Sequence, residues 1–180
     1  MAGLGSIHVL VVDDNAHMRS IVVAILRGIG IGIVKEACDG ADAFEVMRAG
    51  VPDVVICDLN MDPIDGLDFS RMVRTAADSP FPFVPIIMMT GHTERSKVEA
   101  VRDAGVNEFL AKPISARTLM DRIIAVVDRP RPFIKTASYV GPCRRRTNPK
   151  EFTGPWRRKT DDPEAEKAKL AAAKAESAEK

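Results

Sequence analysis

Five short apolar runs punctuate the first 128 residues, and each is followed by a stretch with helical spacing. The runs are Ile7–Val12, Ile33–Ala37, Asp53–Cys57, Ile86–Thr90 and Glu108–Ala111. Runs this short read as strands, Ile7–Val12 and Ile86–Thr90 as buried ones, Ile33–Ala37 as a weaker one and Glu108–Ala111 as a short one. Asn15 can cap a helix running to about Gly28, with Met18, Ile21, Val22 and Ile25 on one side. Asp39 and Gly40 turn the chain into a second helix carrying Ala43, Phe44 and Met47. Leu67–Ala76, Thr93–Ala104 and Ser115–Val127 complete the set, with Gly105 as the cap of the fourth. Residues 77–85 hold three prolines and read as loop. Strict strand–helix alternation predicts an α/β domain, a doubly wound five-stranded parallel sheet covered by helices on both faces.

In such sheets ligands bind beyond the carboxyl ends of the strands. Here the first strand ends in Asp13 and Asp14, the third in Asp58 and the fourth in Thr90, and Lys112-Pro113 follows the fifth. With strand order 2-1-3-4-5, these side chains converge on one patch. Two carboxylates about 4 Å apart repel by about 4 kcal/mol at an effective dielectric near 20. Three of them need a cation or a raised pKa. Lys112 supplies one charge, and oxygen donors of this kind suit Mg²⁺. A carboxylate beside a divalent ion and a lysine, with a threonine hydroxyl opposite, also suits phosphoryl transfer.

Asp13-Asp14, Asp58, Thr90 and Lys112-Pro113 resemble the signature of response-regulator receiver domains of two-component signalling. The loop Asp58-Leu-Asn-Met-Asp-Pro-Ile-Asp-Gly-Leu67 is similar to the family's phosphorylation loop, and the resemblance covers residues 7–128. It implies a flavodoxin-like fold and a chain that catalyses only its own phosphorylation and dephosphorylation. Asp58 is then the phospho-acceptor. Asp13, Asp14, Asp58 and the backbone carbonyl of Asn60 hold Mg²⁺. Lys112 and Thr90 contact the phosphoryl group, Thr90 and Phe109 form the switch, and Lys112–Pro113 is a cis peptide. The implied donor is a histidine kinase or histidine phosphotransfer protein, and the implied output is contact with a downstream protein that the sequence does not name. One departure stands in the loop: where many receivers carry proline four residues after the acceptor, this chain has Asp62, and Pro63 follows. His92, two residues after Thr90, either tunes dephosphorylation or is an exposed loop histidine.

The chain of 180 residues has a net charge of +1, which is a cancellation. Residues 1–128 hold 12 basic and 18 acidic residues, and residues 129–180 hold 14 and 7. The expected organisation is a receiver over 6–128, an irregular basic extension over 129–160 and an exposed Ala/Glu/Lys-rich helix or disordered tail over 161–180. The extension carries Arg144–Arg146 and Arg157–Lys159 but has no recognition helix and few aromatics. That composition favours protein contact over nucleic-acid binding. A phosphorelay shuttle or phosphate sink, or a regulator whose tail binds nucleic acid, are the alternatives to signalling through protein contacts. Cys38, Cys57 and Cys143 form neither a disulfide framework nor a zinc site. Residues 1–6 show no signal-peptide pattern, and Ile21–Val34 is broken by Arg27 and three glycines. A cytoplasmic protein without membrane insertion is expected.

Overall fold

A computed structural model describes residues 4–91, 95–136 and 139–143, the side chains of 95–98 excepted. The five parallel strands are β1 (His8–Val12), β2 (Ile33–Ala37), β3 (Val54–Asp58), β4 (Ile86–Thr90) and β5 (Glu108–Ala111). Between and after them come helices α1 (Ala16–Gly28), α2 (Gly40–Ala49), α3 (Gly66–Thr75), α4 (Arg95–Asp103) and α5 (Ala116–Val127). The sheet order is β2-β1-β3-β4-β5.

Alternation along each strand divides the core. Leu10, Val12, Val55, Cys57, Ile86 and Met88 face the side covered by α2, α3 and α4. Val9, Val11, Val54, Ile56, Ile87 and Met89 face α1 and α5. Every residue of the central strands β3 and β4 is buried, whereas the edge strand β2 exposes most of its residues. Short polar side chains start the helices as capping requires. Asn15 Oδ1 accepts from the amides of His17 and Met18, and Asp39 from those of Ala41 and Asp42. Ser115 and Thr118 form a capping box.

The chain after α5 differs from the irregular stretch expected there. Phe133–Lys135 (β6) and Val140–Pro142 (β7) form an antiparallel hairpin, and these residues belong to the same compact unit as the sheet. Pro132 stands just before β6 and Pro142 ends β7, strand-terminal positions that a two-stranded edge tolerates. Arg131 fastens the hairpin, donating to the carbonyls of Asn107 and Cys143 and lying 3.6 Å from the Glu108 carboxylate. His92, Arg144–Arg146, Arg157–Lys159 and the Ala/Glu/Lys run of 161–180 lie outside the described residues. Among the described residues, no helix is long and apolar enough to cross a membrane.

Candidate functional site

Strand register decides which side chains meet. Val12 pairs with Cys57, Asp58 with Met89, and Thr90 with Ala111. Asp13, Asp58, Thr90 and Lys112 therefore leave the sheet at the same edge. Asp13 is fully buried. Its Oδ1 accepts from the Asn15 amide at 2.8 Å, while its Oδ2 has no hydrogen bond and lies 3.6 Å from Lys112 Nζ. Asp14 is exposed, and its Oδ2 accepts from the Asp62 amide at 3.3 Å. Asp58, only 6% exposed, ends β3 with Oδ1 3.0 Å from Lys112 Nζ. Thr90 is buried at the end of β4, and its carbonyl accepts from the Lys112 amide at 2.8 Å. The Lys112–Pro113 peptide is cis, as is Asp62–Pro63. Phe109 is half-buried on β5, opposite Met88. Asn60 is exposed in the loop after Asp58.

Gly66 shapes that loop. Its amide donates to the Leu59 carbonyl at 3.0 Å. A Cβ at this position would strike the Asp58 carbonyl oxygen and lie 2.7 Å from Met88 Sδ. Only glycine lets α3 begin so close to the end of β3.

One oxygen from each of Asp13, Asp14 and Asp58 lies within 4.8 Å of the others. Burial raises the Asp58 carboxyl above its usual range, and the negative charge of Asp13 adds to the rise. The hydrogen bond and charge of Lys112 oppose it. Two of the three carboxylates share the Lys112 ammonium, and one buried oxygen of Asp13 has no hydrogen-bond donor. A small divalent cation with a preference for oxygen fits that deficit. The neighbouring Cys57 thiol donates to the Asp58 carbonyl at 3.2 Å. Complete burial pushes its pKa well up, so it is a packing group and not a nucleophile.

Residues 9–124 match the family model of the response regulator receiver domain. The chain belongs to the response-regulator receiver family. The receiver is 34% identical over 121 residues to chemotaxis protein CheY-3 of Vibrio cholerae, covering 67% of this chain and 92% of that protein. It is likewise 34% identical over 121 residues to CheY of Pseudomonas aeruginosa, covering 67% of this chain and 96% of that one. Among solved structures it matches CheY4 of Vibrio cholerae with a TM-score of 0.62 and 32% identity, covering 67% of this chain and 98% of that one. A response regulator from Chloroflexus aurantiacus gives 0.63 and 31%, with coverage of 68% and 98%. The receiver fold places the chain in phosphorylation-based two-component signalling, and its acidic pocket is compatible with Mg²⁺.

In this receiver the strand-end residues Asp13, Asp14, Asp58, Thr90 and Lys112 are brought together as their sequence positions suggest. Two contacts to the acidic loop escape sequence reasoning, those from Arg19 and from the Asp62 amide. Neither residue type nor spacing flags them, because one contact ends on a backbone carbonyl and the other starts from a backbone amide.

Lys112 is the shared cation, which makes its removal informative. Lys112→Ala is expected to destabilise the metal-free receiver at neutral pH by about 1–3 kcal/mol, the cost of leaving buried polar groups without a partner. The loss should shrink as pH falls and Asp58 takes up a proton. Urea denaturation at neutral and acidic pH measures both. Equal midpoints for the variant and the wild type at neutral pH would show that the ion pair contributes nothing.

Proposed function

We propose that this receiver accepts a phosphoryl group on Asp58 from a phosphohistidine of a histidine kinase or histidine phosphotransfer protein, and signals through phosphorylation-dependent contact with another protein. The observation that carries this reading is the Asp58 carboxylate at the end of β3, held 3.0 Å from Lys112 Nζ and within 4.8 Å of two further acids.

Asp13, Asp14, Asp58 and the Asn60 carbonyl would hold Mg²⁺, which when bound supplies positive charge to the phosphoryl oxygens. A carboxylate oxygen of Asp58 attacks phosphorus in line with the bond to the donor imidazole. The new P–O bond forms as the P–N bond breaks, and the imidazole leaves with the electron pair. Lys112 neutralises charge on the transferred group, and its hydrogen bond to Asp58 keeps the carboxylate oriented. The Thr90 hydroxyl then donates to a phosphoryl oxygen, and Phe109 packs inward as Thr90 moves. Water later attacks phosphorus and releases the Asp58 carboxylate. The two-state change this drives needs about 5.5 kcal/mol of differential preference to run from nearly off to nearly on.

Incubation with Mg²⁺ and acetyl phosphate, followed by intact-protein mass measurement, tests the reading. One phosphoryl group per chain is expected, on the peptide that contains Asp58. No uptake, or uptake on another residue, overturns it.

A further inference from the structure

We infer that Arg19 is a positioning residue for the metal-binding loop, acting through the backbone of Asp13; this rests on the Mg²⁺-dependent reading above. Arg19 lies on α1, and its side chain is 18% exposed. Its Nη1 donates to the Asp13 carbonyl at 2.7 Å, and its Nε donates to Glu36 Oε2 on β2 at 3.1 Å. It thus ties the acidic loop to the neighbouring strand.

The contact point matters. The Asp13 carbonyl belongs to the peptide that leads into Asp14, so holding it fixes the direction in which the Asp14 side chain leaves the backbone. Asp14 needs such help. It is exposed, and the bond it accepts from the Asp62 amide, at 3.3 Å, is long. On its other side the loop is held by the Asp13 amide, which donates to the Ala37 carbonyl at 3.3 Å. Glu36, opposite Val11 in the register, orients the guanidinium and is itself half out in solvent.

The chemistry of the contact also differs from that of Lys112. Lys112 takes carboxylate oxygens, Asp58 Oδ1 and Asp13 Oδ2. Arg19 places its charge beside the same acidic loop through a carbonyl, so the carboxylate oxygens stay available to a cation. Outer residues that orient metal ligands typically change affinity by about 10- to 100-fold when removed. Arg19 fits the low end of that range, because its partner is a carbonyl of the loop and not a ligand side chain.

The full chain with Arg19→Ala, Arg19→Lys or Glu36→Gln provides the test, with Mg²⁺ affinity read by titration calorimetry and thermal midpoint read without metal. Arg19→Ala should weaken Mg²⁺ about tenfold, and Arg19→Lys should recover part of that loss. In phosphoryl uptake from acetyl phosphate, the Mg²⁺ concentration for half-maximal rate should rise while the rate at saturating Mg²⁺ stays near that of the wild type. A lowered midpoint with unchanged Mg²⁺ affinity in both Arg19 variants would make Arg19 a brace between α1 and β2, and would overturn the inference. A wild-type chain that binds no Mg²⁺ would fail earlier, and would overturn the metal reading on which the inference rests.

Discussion

The Asp58→Asn receiver is expected to take up no phosphoryl group and yet, without divalent ions, to be more stable than the wild type at neutral pH. The first half follows from chemistry. A carboxamide oxygen carries no charge and does not form the acyl phosphate, so uptake from acetyl phosphate should vanish. The second half follows from the raised Asp58 pKa, whose main cause is burial. An acid that titrates higher in the folded state than in the unfolded state holds its proton more tightly when folded. Over the interval between the two values the unfolded chain binds fewer protons, so stability falls as pH rises. Once pH lies above both values the metal-free wild type bears that cost in full, and the amide does not. The gain should be on the order of 1 kcal/mol, a midpoint shift of a few degrees. It should fade as pH falls through the folded pKa of Asp58. Saturating Mg²⁺ reverses the order, because a ligand at about 100 times its Kd stabilises its binder by about 2.7 kcal/mol and the variant has lost the negative charge of one ligand. Thermal melts at two pH values, each with and without Mg²⁺, measure all four terms. Uptake by the variant, or a metal-free variant less stable than the wild type at neutral pH, would contradict the account.

The legible part of this site is the part written at strand ends. Asp13, Asp14, Asp58, Thr90 and Lys112 are polar residues closing or following apolar runs, and a parallel sheet must bring such positions to one edge. Asn15, Asp39 and Ser115 announce their helices because their side chains satisfy the first free amides. Arg19 does not announce its role, since its use depends on where the Asp13 carbonyl points. The hairpin was illegible for another reason. Its strands are three residues long, below the length at which periodicity separates strand from loop, and tertiary contacts hold them. Gly105, readable as a helix cap, also serves this purpose. Its φ of +82° ends the α4 turn, and a Cβ there would collide with the Val140 carbonyl.

Arg74 anchors that hairpin, and Arg74→Ala should cost about 3 kcal/mol of stability, the combined cost of buried acceptors left without donors and of a cavity. This arginine lies on α3, and only 4% of it is exposed. Nε donates to the Gly105 carbonyl at 3.0 Å, Nη1 to the Pro82 carbonyl at 2.7 Å and Nη2 to Asn107 Oδ1 at 3.1 Å. The Phe133 ring of β6 lies 5.0 Å from its Cζ, and Phe133 in turn packs edge-on against Phe83. Burial lowers the guanidinium to about 10, so it stays charged at neutral pH and its hydrogen bonds are charge-assisted. Truncation leaves the Pro82 and Gly105 carbonyls without these donors, opens a cavity and removes the cation from beneath Phe133. Asn107 keeps its bond to the Ile86 amide at 3.1 Å, so the start of β4 and β5 should persist while the hairpin loosens. Arg74→Met restores volume without hydrogen bonds and should recover only the packing fraction of the loss. These contacts sit at the amino ends of β4 and β5, the far end of the sheet from Asp58. The variants should therefore show faster hydrogen exchange across residues 133–142 with unchanged Mg²⁺ affinity. Urea denaturation and exchange mass spectrometry measure the two effects. An Arg74→Ala chain within about 1 kcal/mol of the wild type would show that Arg131 and apolar contact dock the hairpin without Arg74.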